Sequence, residues 1–182
     1  MRKLSALGAI AGAMAFLLPS SVLAATWSDS GFQWHTNKPF TLHVNDYTTT
    51  GAWHSRVALA ASEWSASSTA DVVLGGSGRI KVSIENQALS VNGPCAWMTV
   101  TTQGSYMKTA AIVLNDTCLD YYAPLFTFSY QQMALCNELG HALGLPDHQT
   151  SDPGIPDCMA PSTRPGPSPT QIDFDKLDEL YG

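Results

Sequence analysis

Three side chains in the second half of the sequence have types and spacing suited to metal-dependent hydrolysis. Asn137 and His141 are four positions apart, so on a helix they lie one turn apart on one face and can reach one metal ion. Glu138 is adjacent on the same side and can approach a water molecule bound to that ion. Zinc lowers the pKa of such a water, and a carboxylate can take its proton. This segment therefore predicts a hydrolytic metal site.

The residues after this helix supply candidates for a third protein ligand. Gly144 allows a sharp turn of the chain, which brings Asp147 or His148 back towards the same ion. Three protein ligands and one water are typical of catalytic zinc. Spacing alone leaves open which of the two residues binds the metal.

The pattern resembles the metzincin zinc proteases, whose motif is His-Glu-x-x-His-x-x-Gly-x-x-His/Asp followed by a methionine-containing turn. Glu138, His141, Gly144 and Asp147 fall in this register, and Met159 resembles the methionine of that turn. The Gly-Leu-Pro-Asp-His run is similar to snapalysin-type proteases. The Cys-x-Glu-x-x-His context is similar to bacterial matrixin-like proteins.

The resemblance covers roughly residues 109–182 and implies a zinc-dependent endopeptidase in which Glu138 is the general base. Its register implies that Asp147, rather than His148, is the third zinc ligand. It also implies that a protein or peptide substrate lies extended along an edge strand near Thr109–Leu114, by addition to the sheet.

Asn137 stands where a metzincin has its first zinc-binding histidine, and three interpretations follow. Asn137 binds zinc directly or through water, as a poorer ligand than imidazole. Alternatively, zinc is held by His141, Asp147 and His148. In the third interpretation the chain is a pseudoprotease that binds peptides or proteins without cutting them. Cys136 does not replace the missing ligand, because it lies about 140° around the helix from His141.

The four cysteines, Cys95, Cys118, Cys136 and Cys158, predict two disulfides in an exported chain. Three pairings are possible. We favour the sequential pairing of Cys95 with Cys118 and Cys136 with Cys158, because each closes a moderate loop. The second bond would tie the helix of the site to the turn that contains Met159.

Other residues with metal-binding chemistry lack the spacing of a site. His35, His43 and His54 lie far upstream and are predicted to be surface or strand-end residues. Asp152 and Asp157 are candidates for a structural calcium site, although no EF-hand spacing supports it.

The beginning of the 182-residue chain is typical of an exported protein. Residues 1–3 start with two basic side chains, residues 4–18 are almost wholly apolar, and Ala24 ends a run of small residues. The apolar run is shorter than the roughly 20 residues that span a bilayer. We predict a signal peptide at residues 1–24 and a single metzincin-like domain at residues 25–182, secreted as a monomer.

The charge of the mature chain argues against two classes of partner. Without the signal peptide, 7 basic and 15 acidic side chains remain, which gives a net charge of −8. The basic residues are scattered singly. An acidic chain without a basic patch is poorly suited to bind nucleic acid or anionic membranes.

Hydrophobic periodicity indicates strands interleaved with one helix, then a long helix, an irregular loop and a closing helix. The predicted strands cover residues 40–44, 71–74, 79–85, 97–102 and 109–114. The predicted helices cover residues 51–65, 126–143 and 170–181. This order predicts an α+β (α/β-like) domain, with a twisted mixed sheet above the helix of the site.

Overall fold

The computed structural model describes residues 32–78, 81–126, 129–149, 156–160 and 166–182. The predicted signal peptide lies outside these residues, as does Asp152. Across the described ranges, no helix is both long and apolar enough to cross a membrane.

Within the described ranges, six strands and four helices form the fold, in an order close to the predicted one. The strands are β1 Gln33–Trp34, β2 Phe40–Asp46, β3 Ala70–Leu74, β4 Lys81–Gln87, β5 Ala96–Gln103 and β6 Tyr106–Asn115. The helices are α1 Gly51–Trp64, α2 Asp116–Tyr122, α3 Tyr130–Ala142 and α4 Gln171–Tyr181, with a 3₁₀ turn at Ala123–Leu125.

The strands form one mixed sheet, which confirms the predicted α+β class. Five strands run parallel in the order β1-β6-β4-β2-β3, and β5 pairs antiparallel with β6. Alternate side chains of the central strands are fully buried on one face of the sheet. They are Leu42, Val44, Val82, Ile84, Ile112 and Leu114.

The predicted position of the edge strand is wrong. Thr109–Leu114 belongs to β6, which pairs with β4 on one side and with β5 on the other. The free edge beside the candidate site belongs to β5. A run of β-forming residues predicts that a strand exists, whereas strand order depends on contacts between segments distant in sequence.

α1 packs against β3 of the sheet and against α3, and α3 also contacts β5 and β6. The N-terminus of α1 is capped by Thr50, whose hydroxyl accepts a hydrogen bond from the Trp53 backbone. Trp64, at its other end, is fully buried and donates its indole N–H to the carbonyl of Cys136 in α3 (3.0 Å). This contact fixes α3 against α1.

α2 begins directly after β6, at Asn115-Asp116, a pair of residues that also favours a turn. Asn115 caps this helix by accepting from the Cys118 backbone, and its side-chain nitrogen donates to the carbonyls of Ser90 and Pro94. Asparagine favours both turns and helix N-caps. The local sequence is therefore compatible with either a turn or a helix start at this position.

The predicted disulfide pairing is confirmed. Cys95 is bonded to Cys118, and Cys136 is bonded to Cys158. The first bond joins the segment before β5 to α2. The second joins α3 to the turn of residues 157–160.

Candidate functional site

α3 and the turn that follows it place the predicted site residues together. Ser129 caps the helix by accepting from the Gln132 backbone, so α3 begins at Tyr130 rather than at the predicted residue 126. Gly144 ends it with a φ of 101°, a conformation that favours glycine. The Leu145 N–H then returns to the carbonyl of Gly140 (3.0 Å). This reversal carries the chain back to Asp147.

His141 is oriented by a backbone contact. Its Nδ1 lies 2.8 Å from the carbonyl oxygen of Leu145. Because that oxygen only accepts, Nδ1 carries a proton, and in the neutral form of the ring the lone pair is on Nε2. Nε2 lies 3.5 Å from Oδ1 of Asp147. A histidine that binds a metal through one ring nitrogen usually donates the N–H of the other ring nitrogen to a carbonyl or carboxylate oxygen.

Glu138 is a buried carboxylate on the wall of a cavity of about 250 Å³. Burial raises the pKa of its carboxyl to about 7; the charge of His141 opposes this increase and that of Asp147 adds to it. The cavity is also lined by Asn137 and Asp147 and by Cys95, Ala96, Tyr130, Met133, Ala134 and Ala160. A carboxyl group with a pKa near 7 can accept and release a proton at neutral pH.

Asn137 faces Asp147 with its amide nitrogen. Nδ2 lies 2.8 Å from the carbonyl oxygen of Cys158 and 3.0 Å from Oδ1 of Asp147. It also lies 3.9 Å from the sulfur of Met159. The structure therefore brings Asn137, His141 and Asp147 to one place, as predicted from their spacing.

Met159 lies beneath this group, where the resemblance places the methionine of the Met-turn. Its side chain is fully buried. A Cβ atom added at Gly140 would collide with the Met159 sulfur and would lie 2.7 Å from Cζ2 of Trp64. Gly140 thus permits close packing of the turn against α3, a role that the sequence analysis did not recognise.

His148 points into a different, buried cluster. Its Nε2 lies 3.2 Å from Oδ1 of Asp173 and 3.8 Å from Oδ2 of Asp157, and all three side chains are almost fully buried. Burial, followed by the charge of Asp173, raises the pKa of Asp157 to about 6. Asp173 lies in the first turn of α4, and no spacing in the sequence connects it with His148, because the two are distant along the chain.

This cluster links three segments below the site. The His148 backbone N–H donates to the carbonyl of Met159 (2.9 Å), and Asp157 Oδ1 accepts from the Met159 backbone (3.0 Å). Asp173 Oδ2 accepts from the Thr170 backbone at the start of α4 (2.7 Å). His148 is thus placed to hold the turn. Of the two candidates for third ligand, Asp147 is the one that lies beside His141.

The upstream histidines have other surroundings. His35 and His54 are exposed, as predicted, whereas the prediction is wrong for His43, which is partly buried in the middle of β2. His35 stacks on Tyr106 with ring centroids 4.5 Å apart. His43, in β2, contacts the carbonyl of Gly75. His54 forms an ion pair with Asp46, with Nδ1 2.7 Å from Oδ2.

The residues fit a zinc ion in part. His141 Nε2 and Asp147 Oδ1 are zinc donor atoms that lie close together, with Glu138 on the adjoining cavity wall. Asn137 borders the same place, but its near atom is an amide nitrogen, which is a hydrogen-bond donor and not a metal ligand.

Comparison with known proteins finds 54 similar chains among solved structures, including the following two. One is myroilysin, which is 16% identical with a TM-score of 0.41 over 63% of this chain; the match spans 51%, about half, of myroilysin. The other is high choriolytic enzyme 1, a hatching enzyme zinc-protease from the medaka fish Oryzias latipes. It is 12% identical with a TM-score of 0.47, over 82% of this chain and 94% of that one.

The chain is similar in fold to both. At these identities the likeness concerns the fold alone. No protein-family model and no curated protein sequence matches the chain.

Proposed function

We propose that this chain is a secreted zinc-dependent endopeptidase of the metzincin type. The observation that carries the proposal is the buried Glu138 carboxylate on a cavity wall beside the paired donor atoms of His141 and Asp147. Two disulfides are in keeping with an oxidising, extracellular location.

In this proposal His141 and Asp147 hold the zinc ion. When bound, zinc supplies a Lewis acid that polarises the scissile carbonyl and makes water a better nucleophile. Glu138 takes the proton of the attacking water and delivers it to the leaving amine. Glu138 is placed for both steps because it lies on the cavity wall with Asp147.

The substrate is a protein or peptide in extended form, added to the free edge of β5. Cys95 and Ala96, where β5 begins, line the same cavity as Glu138. A peptide paired with this edge would therefore pass the general base, while its backbone hydrogen bonds would be sequence-independent. Tyr130 and Met133 form an apolar part of the cavity wall, suited to an apolar side chain of the substrate.

Metal content and cleavage test the proposal together. The purified mature chain should contain about one zinc ion and should cleave casein, and a chelator should abolish the cleavage. Glu138→Gln should retain zinc and lose nearly all activity, because it keeps the shape of the side chain but removes the base. Equal and negligible cleavage by both proteins would exclude the enzyme.

A second candidate is a pseudoprotease that binds peptides without cutting them. It is favoured by one observation, the amide nitrogen of Asn137 in the position where a metzincin has an imidazole. This candidate predicts peptide binding without cleavage, no effect of Glu138→Gln on binding, and little bound zinc.

A further inference from the structure

Asn137 has two acceptors on the same side of its amide. The carbonyl oxygen of Cys158, at 2.8 Å, can only accept a hydrogen bond, and Oδ1 of Asp147, at 3.0 Å, belongs to a carboxylate. If the amide were rotated by 180°, its oxygen would face two other oxygens. The nitrogen therefore faces both acceptors, and the amide oxygen points away from Asp147.

The contact with Asn137 restrains the carboxylate of Asp147. Asp147 lies on the segment that follows Gly144, and its side chain is 48% exposed. Cys158 belongs to the turn that carries Met159 and is bonded to Cys136, the residue before Asn137. One amide group therefore connects α3, the turn and the carboxylate beside His141.

We propose that Asn137 is a positioning residue that holds Asp147 through its amide N–H groups, and that it does not donate an oxygen atom to the metal. The protein ligands of the metal are then His141 and Asp147. Asn137 stands where a metzincin has its first zinc-binding histidine, and it contributes by holding the ligand Asp147 rather than by binding the metal itself. The part of this inference that concerns the metal rests on the proposed function. The hydrogen bonds of the amide are present in the metal-free protein.

Asn137→Ala separates the possible roles of the residue. In the metal-free protein, loss of two donors should lower the melting temperature by roughly 3 to 8 °C. Zinc affinity, measured by competition with a chromogenic chelator, should fall about 10- to 100-fold, as is usual when a residue that orients a ligand is removed. Asn37→Ala, at an exposed asparagine, is the matched control and should change neither quantity.

The other outcomes contradict the proposal in different ways. An unchanged melting temperature with weaker zinc binding would show that Asn137 is a ligand. A lower melting temperature with unchanged zinc binding would show a purely structural contact.

A measurement on the unaltered protein avoids dependence on the folding of the variant. With ¹⁵N-labelled asparagine, the side-chain N–H signals of Asn137 should exchange slowly with solvent and should stay protected after zinc is added. Loss of protection on adding zinc would show that the amide turns its oxygen to the metal, and would overturn the proposal. If the chain binds no zinc at all, the proposed function fails, and fast exchange of the same signals would then reject the amide contacts separately.

Discussion

At the scale of single residues, we expect position 137 to set how tightly the proposed site holds a metal. Its side chain borders Asp147 and lies one helical turn from His141. Asn137→His should therefore bring an imidazole nitrogen to the metal and raise zinc affinity by roughly tenfold or more, despite the loss of the amide contacts. Competition titration with a chromogenic chelator measures this, with Asn37→His as the control. Unchanged affinity would mean that residue 137 does not border the metal.

Glu138 makes the stability of the metal-free protein depend on pH. Its pKa rises from an ordinary value of 4.5 in the unfolded chain to about 7 in the folded protein, so the folded state binds the proton more tightly. The resulting stabilisation is fully present below about pH 4.5 and is lost as the pH rises through about 7. The shift corresponds to roughly 3 kcal/mol.

Glu138→Gln should remove this dependence. With chelator present, the free energy of unfolding of the unaltered chain should fall from about pH 4.5 to 7. The part of this fall between pH 6 and 7 should be absent from the variant. Asp157, whose pKa is raised to about 6, should add a fall at lower pH in both proteins. Exposed Glu85→Gln should behave like the unaltered chain. If the free energy of unfolding depended on pH in the same way for all three proteins, folding would not raise the pKa of Glu138.

At the scale of elements, the sequence predicted those features that depend on neighbours along the chain. The helix of the site, its end at Gly144 and the sequential disulfides follow from periodicity, turn chemistry and loop length. The interior position of β6 and the cluster of His148 with Asp173 do not, because both depend on where distant segments pack. By residue type and spacing, both Asp147 and His148 were candidates for the third metal ligand. Only the path of the chain after Pro146 shows that Asp147, and not His148, lies beside His141.

The two disulfides should differ in their effect on the site, although they close loops of similar size. Their sequence separations are 23 and 22 residues, so replacing either pair with alanine should cost roughly 3 kcal/mol. Only loss of the Cys136–Cys158 bond should also weaken zinc binding, because it joins α3 to the turn beneath the site. The Cys95–Cys118 variant is the control for general destabilisation. Equal effects on zinc affinity would show that the bond does not organise the site.

At the scale of the whole molecule, three strands have a single partner among the described residues, namely β5, β3 and the two-residue β1. Of these, only β5 lines the cavity beside Glu138. β5 pairs with β6 alone and β3 with β2 alone, so each has backbone groups available to another strand. Because Cys95 and Ala96 line the cavity with Glu138, a bound peptide should pair with β5. It should leave β3 unchanged.

Hydrogen exchange on the Glu138→Gln chain, which should hold a peptide without cutting it, can measure this difference. Addition of a casein-derived peptide should slow exchange of the outward-facing amides of β5, while those of β3 serve as an internal control in the same sample. Pairing on this edge is required of the peptidase and of the pseudoprotease alike, so the result does not depend on which of them is correct. Protection of both edges, or of neither, would show that the peptide does not bind by addition to β5.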